Sequence, residues 1–160
     1  RVEGNSNDMF KPLFGHIKKN NIAMTAPVEM VYAMPEGDAA DVETEQLADD
    51  MQINSMSFFY GDPQMGETGE QGVVEVVDVE PRTVISVGVR GEYNNDNMAR
   101  GLKQLLQWIE EQREAGRDIE IVGPPRYMGY NSPFVPWFIK FGEVQLPVKI
   151  EGEDQEQGGT

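Results

Sequence analysis

The residues that could carry catalysis or bind a metal are few in this chain. His16 is the single histidine, and there is no cysteine among the 160 residues. A zinc site built from several histidines or thiolates is therefore excluded, as are disulfides and cysteine nucleophiles. A Ser-His-Asp arrangement would have to use His16. The sequence also offers no paired-carboxylate motif, glycine-rich phosphate loop or spaced set of metal ligands, which argues against an enzyme.

Ser132 is the serine whose neighbours most invite a nucleophile interpretation. It lies in Asn131-Ser132-Pro133, but no histidine or lysine is close to it in sequence. Asn before Ser-Pro is typical of a turn. We therefore expect a turn at this point, and hydrolysis is the least favoured function because no nucleophile-base pair is recognisable.

The charge balance restricts the partners. The formal net charge is -15, from 28 acidic and 13 basic residues. Binding to nucleic acid requires clustered Lys and Arg, so we expect no nucleic-acid partner, and anionic membrane surfaces would repel the chain. No run of about 18 apolar residues exists, so we expect no membrane insertion. The composition predicts a soluble globular protein, which we take to be a monomer.

Two amphipathic helices must position any site. In the first, apolar residues at spacings of three and four share one face: Met9, Phe10, Leu13, Phe14 and Ile17. The second repeats the pattern with Met98, Leu102, Leu105, Leu106 and Ile109. This spacing predicts helices that each pack one face against a sheet.

Most of the remaining chain predicts β-strands. Segments rich in Val, Ile, Phe and Tyr, bounded by Gly, Pro and acidic turns, cover 22–34, 52–60, 72–79, 83–91, 118–128 and 140–150. The acidic segment 35–50 predicts a solvated loop, and 151–160 a disordered acidic tail. We expect one domain over residues 1–150.

The two halves of the chain share one plan. Each has a strand that ends in glycine, an amphipathic helix, and then the pattern Ile-x-(Met/Ile)-x-(Ala/Gly)-Pro. Pro27 of the first half corresponds to Pro124 of the second (124 − 27 = 97). This pattern indicates an internal duplication of a strand-helix-strand-strand unit. If two such units pair about a pseudo-twofold axis, the strands after the helices meet in the middle and an apolar groove lies between helices and sheet.

Four short motifs closely resemble the SOUL haem-binding protein family: Met24-Thr25-Ala26-Pro27-Val28, Gly129-Tyr130-Asn131-Ser132-Pro133, Pro136-Trp137 and Glu143-Val144. The last is similar to the family's Asn-Glu-Val element, with Gly142 where Asn is usual. The resemblance covers nearly the whole chain. Only the end of the family's first strand is present, so we expect residues before Arg1. The compartment stays open between the cytoplasm and export after loss of a leader.

The resemblance implies a fold and a function. The fold is α+β, a distorted antiparallel β-barrel of about eight strands with two flanking helices, formed by pseudo-twofold duplication of a β-α-β-β unit. The function is reversible, non-catalytic binding of haem or a related tetrapyrrole, a planar hydrophobic molecule such as a porphyrin, for storage, transport or buffering. The family is related to gyrase-inhibitor-like effector-binding domains, so the alternative is binding of cationic amphiphilic small molecules.

The expected ligand groove lies beside the first helix. Its candidate contacts are Phe10, Leu13, Phe14, His16, Ile17, Met24, Tyr130, Trp137 and Glu143. As the only imidazole, His16 is a candidate axial ligand for haem iron. A partly exposed histidine near a helix C-terminus is the favoured interpretation. Met24 would supply a flexible thioether, with core packing as the alternative.

Glu143 carries the alternative function. In "GEVQLPV" it is similar to an acid that the gyrase-inhibitor-like relatives can place beneath a cationic ligand, with aromatic walls from Tyr127, Tyr130, Trp137 and Phe138. A half-buried strand explains the alternation equally well. A buried, unpaired Glu143 would favour the ligand interpretation, and exposure would weaken it.

Three bases lie nearest the expected groove: Lys18, Lys19 and Arg126. Such groups can bind the propionates of haem. We favour a simpler interpretation, in which the lysines stabilise the helix C-terminus and Arg126 lies at the surface.

Overall fold

The structure is a computed structural model that describes residues 1–4, 8–24, 27–35, 37, 39–62, 64–132 and 134–151. In chain order it contains β1 (Val2–Glu3), α1 (Phe10–Lys19), β2 (Val28–Tyr32), α2 (Thr44–Asp50), β3 (Ile53–Phe58), β4 (Gly69–Gln71), β5 (Val74–Val76), β6 (Val84–Arg90), α3 (Asn95–Glu114), β7 (Ile119–Ile121), β8 (Arg126–Gly129), a 3-10 turn (Trp137–Ile139) and β9 (Phe141–Ile150). Thr25, Ala26 and Pro133 of the motifs, and residues 152–160 of the predicted tail, lie outside the described residues.

A mostly antiparallel sheet of seven strands organises the described chain. The order is β1-β3-β2-β8-β9-β6, and β7 pairs with the end of β9 beyond β8. The sheet is not closed, so the predicted barrel of about eight strands is wrong on this point. The physical reason is that β1 is only two residues long, while β4 and β5 pair with each other as a separate hairpin. The backbone N–H of Glu75 donates to the Arg1 carbonyl at 2.9 Å, so this hairpin extends the β1 edge without reaching β6.

The strand order repeats the expected duplication. Outward from the centre it runs β2, β3, β1 on one side and β8, β9, β6 on the other. The strands that follow α1 and α3 therefore pair at the middle, as predicted. In this pairing Met30 faces Tyr127, which is also 97 positions later. Equivalent residues of a twofold repeat face each other only at the axis, so this pair marks the centre of the sheet.

The core lies on the sheet face that carries Met30 and Tyr127. Cross-strand partners share a face, and Tyr127 also faces Val144 on β9. These residues belong to one buried cluster with Leu13 of α1 and Leu102 of α3. The helix α3 approaches closely because Gly101 has no side chain: a Cβ there would lie 2.5 Å from Cγ2 of Val144. Both predicted helices are confirmed as amphipathic elements of this core.

A third helix, α2, was not expected. The acidic segment 35–50 was predicted to be a loop, but its second half is helical. Leu47 and Ala48 are buried, and the Asn95 side chain donates to the carbonyls of Ala48 and Met51, each at 3.0 Å. Packing against α3 therefore stabilises α2. The helix was missed in the sequence because its two apolar residues are too few to show a helical period.

Candidate functional site

A cavity of about 750 Å³ lies beside α1. One wall is formed by α1 and another by the β4–β5 hairpin with the chain that follows it. Its floor is the sheet face opposite to the core. The apolar part of the lining includes Leu13, Ile17, Phe58, Val74, Val76 and Met128. A largely apolar cavity therefore lies beside the first helix, where a groove was expected, and the hairpin covers one side of it.

An ion pair lies in the floor of the cavity. The Arg126 guanidinium donates through Nη1 to Oε1 of Glu29 at 2.7 Å, and each side chain is only 12% exposed. Glu29 faces Met128 across the β2–β8 pair, so Arg126 is its diagonal neighbour on the same sheet face. The prediction that Arg126 lies at the surface is wrong, because pairing with Glu29 compensates the burial of its charge.

The ion pair joins equivalent positions of the two halves. Glu29 and Arg126 are separated by the same 97 positions as Pro27 and Pro124. They therefore lie on opposite sides of the pseudo-twofold axis, where one copy of the unit carries an acid and the other a base. The duplication thus supplies complementary charges at the centre of the floor.

Two polar atoms near this ion pair are buried without a partner. Nε of Arg126 and Oε1 of Gln145 make no hydrogen bond with any residue that the structure describes. Gln145 faces Arg126 directly in the β8–β9 register, and both residues line the cavity. A buried polar group without a partner is unfavourable, so these two atoms destabilise the floor locally.

His16 contributes its imidazole to the wall of the cavity. Its Nε2 is 2.8 Å from the Tyr60 hydroxyl, which also belongs to the lining. Burial lowers the pKa of His16, which favours the neutral imidazole. A neutral imidazole is the form that binds a metal, although Nε2 would have to leave Tyr60 to do so.

Charged groups at the cavity have an acidic excess. Among the residues that the structure describes, the lining contains three arginines, Arg1, Arg82 and Arg126, against five carboxylates. Arg1 pairs with Glu75 at 2.6 Å, and Arg126 with Glu29. The remaining charges are those of Arg82 and of Asp62, Asp78 and Glu80. The unpaired part of the lining is therefore net negative.

The sequence candidates on α1 divide into two groups. Leu13, His16 and Ile17 line the cavity, whereas Phe10 and Phe14 do not, and neither does Met24, which follows the helix. Phe10 stacks on Phe14, with 5.9 Å between ring centroids, and packs edge-on against Phe58 at 5.4 Å. Because Phe58 lines the cavity, Phe10 supports the wall from behind.

The Glu143 carboxylate lies outside this lining and is not unpaired. Its Oε1 accepts from Ser86 Oγ at 3.2 Å, and its Oε2 accepts from the Tyr130 hydroxyl at 2.6 Å and from Gln145 Nε2 at 3.0 Å. Burial, followed by the hydrogen bond to Glu143, raises the pKa of Tyr130 to about 12. The condition set for a ligand-binding carboxylate, burial without a partner, is therefore not met.

The aromatic residues predicted around Glu143 do not form one pocket. Tyr127 is fully buried on the core face of the sheet, because it faces Val144, and so lies opposite to Glu143. Tyr130 stacks on Phe141, while Trp137 and Phe138 are each 61% exposed. We call the group Tyr130, Phe134, Trp137, Phe138 and Phe141 the aromatic surface.

Several cavity residues were missed in the sequence: Glu29, Tyr60, Val74, Val76 and Gln145. Glu29 and Gln145 alternate with apolar neighbours, a pattern that predicts exposed positions on a half-buried strand. A signal was available in the duplication, because an offset of 97 pairs Glu29 with Arg126.

Two kinds of feature are absent from the described residues. No group of three or more His, Cys, Asp or Glu side chains there could hold a metal ion. No helix in that part of the chain is long and apolar enough to span a membrane. The Ser132 hydroxyl accepts from the backbone N–H of Phe134 at 3.4 Å, as expected of a turn.

Comparisons with known proteins agree on the fold. The family model described as SOUL heme-binding protein matches residues 1–147. Among solved structures, the crystal structure of the EcmrR C-terminal domain has a TM-score of 0.55 with 15% sequence identity, covering 93% of this chain and 87% of that one. At this identity the similarity concerns the fold alone. No curated protein matches the chain.

Proposed function

Because the chain belongs to the SOUL haem-binding protein family, we propose that it binds haem or a related tetrapyrrole, without catalysis, in the cavity beside α1. The observation that carries this proposal is the cavity itself, since about 750 Å³ is a volume typical of small-molecule sites, roughly 300–1,000 Å³. Reversible binding at this site suits storage, transport or buffering of the ligand.

The residues present fit a tetrapyrrole. Leu13 and Ile17 on α1, with Val74 and Val76 on the hairpin, provide apolar walls for the faces of a flat molecule. The floor adds the ion pair of Arg126 and Glu29, whose charges are already matched. His16 is the candidate axial ligand, since its neutral imidazole is part of the wall.

A titration with hemin, followed at the Soret band, tests the proposal. We expect saturable one-to-one binding. Val76→Trp should weaken the affinity at least about tenfold, because Val76 lines the cavity and the larger side chain occupies part of the space for the ligand. Val73→Trp is the matched control, because Val73 lies on the same hairpin, is 74% exposed and is not part of the lining. The affinity of this variant for hemin should stay within about twofold of the unaltered protein.

Two results would count against the proposal. Absence of saturable hemin binding would exclude the function, and equal effects of the two tryptophan variants would exclude the location. The axial role of His16 has its own readout. If His16 ligates iron, His16→Ala shifts the Soret maximum, and an unchanged spectrum removes that role while the apolar site stands.

The acidic excess of the lining favours a second candidate, binding of cationic amphiphiles. Asp78 and Glu80 are exposed carboxylates at the cavity, and Val77 and Val79 beside them are apolar. A lipophilic cation such as tetraphenylphosphonium should then lose affinity in Asp78→Asn/Glu80→Gln and keep it in Glu143→Gln. Loss in Glu143→Gln instead would place the cation at the aromatic surface.

A further inference from the structure

The aromatic surface is carried by the loop between β8 and β9. The loop begins at Tyr130 and ends at Phe141, and its two ends are tied together. The backbone N–H of Tyr130 donates to the Phe141 carbonyl at 3.4 Å, and the N–H of Phe141 donates to Oδ1 of Asn131 at 2.6 Å. Phe134 is 95% exposed, and Trp137 and Phe138 are 61% exposed. The rings therefore project into solvent from a loop that is closed at its base.

The exposed apolar area of this surface is large for a monomer. With about 200 Å² for a fully exposed aromatic side chain, the exposed fractions of its five residues give roughly 600 Å². The largest apolar patch of a typical monomer covers about 300–600 Å² and is often functional. A standard contact between two proteins takes about 800 Å² on each partner. The area is therefore large enough to mark a binding surface but small for a stable dimer of this chain.

The charge distribution spares this loop from acidic residues. The longest stretch without Asp or Glu is 121–142, which is 22 positions (142 − 121 + 1) in a chain with 28 acidic residues. Its bases are Arg126, which is paired in the cavity floor, and Lys140. A second base, Arg90, faces Phe141 across β6 and β9. Because charged carboxylates are costly to desolvate, this loop can leave water more readily than the acidic segment 35–50.

The backbone of the loop also suits a less polar environment. The N–H groups of Phe134 and Val135 donate to Ser132, at 3.4 Å to Oγ and 3.0 Å to the carbonyl. Those of Ile139 and Lys140 donate within the 3-10 turn, at 3.1 and 3.2 Å. An unpaired backbone N–H is unfavourable in lipid, so these internal bonds make it easier for the loop to leave water.

The side chains of the loop favour lipid over a protein partner. Lys140 is the only polar side chain in 134–141. A protein interface needs about one hydrogen bond per 100–200 Å², and this segment offers few groups to make them. Tryptophan and other aromatic side chains are enriched at the depth of lipid headgroups, and a lysine at the edge can reach a lipid phosphate.

We propose that the aromatic surface docks the protein onto the interface of a neutral phospholipid membrane, with the rings of Phe134, Trp137 and Phe138 at the depth of the headgroups. This is contact at the membrane surface and needs no spanning segment. Glu143 accepts both from Tyr130 and from the cavity residue Gln145, so the cavity adjoins the docked face. Docking would therefore bring the cavity close to apolar molecules dissolved in the lipid, whatever the cavity binds.

Flotation of the unaltered protein with phosphatidylcholine vesicles tests the proposal. We expect weak, reversible binding, half-maximal at roughly 0.1–1 mM lipid, comparable to anchoring by a single acyl chain. Binding should be nearly the same at about 20 and 300 mM salt, because apolar contacts are not screened. Adding phosphatidylserine should weaken binding at low salt, since the net charge of the chain is -15.

Variants of the loop test the location. Trp137→Ala/Phe138→Ala should lower the apparent affinity for the vesicles about tenfold or more, because it removes two of the inserted rings. Trp108→Ala is the matched control: this tryptophan is 38% exposed on α3, so its loss should change the affinity less than about twofold. Thermal unfolding of each variant confirms an intact fold.

Tryptophan emission gives an independent readout of the docked face. The chain has two tryptophans, Trp108 and Trp137, so Trp108→Phe leaves the emission of Trp137 alone. Vesicles should shift this emission to shorter wavelength, because the indole moves out of water. Trp137→Phe leaves Trp108 as the reporter and should show no shift.

Several outcomes would overturn the proposal. Absence of binding to phosphatidylcholine vesicles would exclude it, and equal losses for the loop variant and Trp108→Ala would exclude this surface. Stronger binding to phosphatidylserine would show attraction through basic groups instead. A dimer seen by analytical ultracentrifugation, lost in Trp137→Ala/Phe138→Ala and unaccompanied by vesicle binding, would assign the surface to a second copy. The hemin titration of the cavity is a separate measurement, so either proposal can fail while the other stands.

Discussion

The cavity and the aromatic surface differ in what they expose to solvent: the cavity buries an ion pair, whereas the aromatic surface exposes its rings. The cavity encloses its ion pair, with Glu29 and Arg126 each 12% exposed, between apolar walls. The aromatic surface leaves its rings in solvent: Phe134 is 95% exposed and Trp137 61%. From the sequence, we expected ligand contacts from both regions to lie in one groove. The structure shows that richness in aromatic residues does not by itself create an enclosed volume.

Glu143 lies on the boundary between the two regions. Its Oε2 accepts both from Gln145, which lines the cavity, and from Tyr130, which belongs to the aromatic surface. A carboxylate used in this way holds neighbouring side chains in position and has little capacity left for a ligand. The charges of the cavity floor pair with each other, whereas Glu143 is bonded to neutral side chains from both regions.

The largest expected effect comes from breaking the ion pair of the cavity floor. Glu29→Ala leaves the Arg126 charge buried without its partner, so the free energy of unfolding should fall by about 3–5 kcal/mol. Glu29→Met/Arg126→Met replaces both charges by apolar groups and should recover most of the loss. Urea denaturation measures both. In contrast, Trp137→Ala on the aromatic surface should change stability by about 0.5 kcal/mol or less. Equal losses for Glu29→Ala and Trp137→Ala would remove the distinction between the regions.

Gly142 offers the next largest effect, because it connects the aromatic surface to the core. A Cβ at this position would press on the Tyr127 ring and lie 2.9 Å from the carbonyl oxygen of Met128 and 3.2 Å from the Tyr93 ring. Gly142→Ala should therefore lower the free energy of unfolding by about 1–3 kcal/mol. The matched control is Gly15→Ala in α1, where a Cβ meets nothing within 4 Å. That change should stabilise the protein by roughly 0.5–1 kcal/mol, and a similar sign for both variants would contradict the packing at Gly142.

Local patterns in the sequence were sufficient for part of this architecture. The spacing of Leu13 and Ile17, and of Leu102 and Leu105, predicted α1 and α3, because helical period is a property of neighbouring residues. The repeated plan of the two halves predicted that β2 and β8 meet in the middle. The short helix α2 was missed because only its packing against α3 stabilises it.

The site was less predictable for a different reason. Leu13, His16 and Ile17 were expected beside the groove from the period of the helix, and they line the cavity. Glu29, Arg126 and Gln145 looked like exposed positions of half-buried strands. Only the register across β2, β8 and β9 shows that they meet, and the hairpin that covers them is distant in sequence. Resemblance to the family supplied the Glu143 motif but not the partners of its carboxylate.

The pKa of Tyr130 provides a smaller and more local test at the aromatic surface. Burial and the hydrogen bond to Glu143 raise it to about 12, so the neutral phenol is favoured in the folded protein. Glu143→Gln removes the negative charge and should move this pKa back toward about 10. Ultraviolet titration of the phenolate detects the change, and Tyr130→Phe identifies the signal.

Stability contributed by the neutral phenol is complete below about pH 10 and is lost as the pH rises toward 12. An unchanged titration in Glu143→Gln would separate Tyr130 from this carboxylate.

The smallest expected effect concerns His16 on the cavity wall, whose pKa shifts in the opposite direction. Burial lowers this pKa below the ordinary value of about 6.5, because the charged imidazolium is less well solvated there. The corresponding stability is complete above about pH 6.5 and is lost as the pH falls through the lower folded value. Since His16 is the single histidine, its Cε1 proton gives one NMR titration curve, with a midpoint below that of the urea-unfolded chain. Hemin that ligates Nε2 should abolish this titration, whereas hemin bound only by apolar contacts should leave the imidazole free to protonate. A midpoint at or above the unfolded value would mean that the imidazole is not buried in the wall, which would remove the support for His16 as an axial ligand.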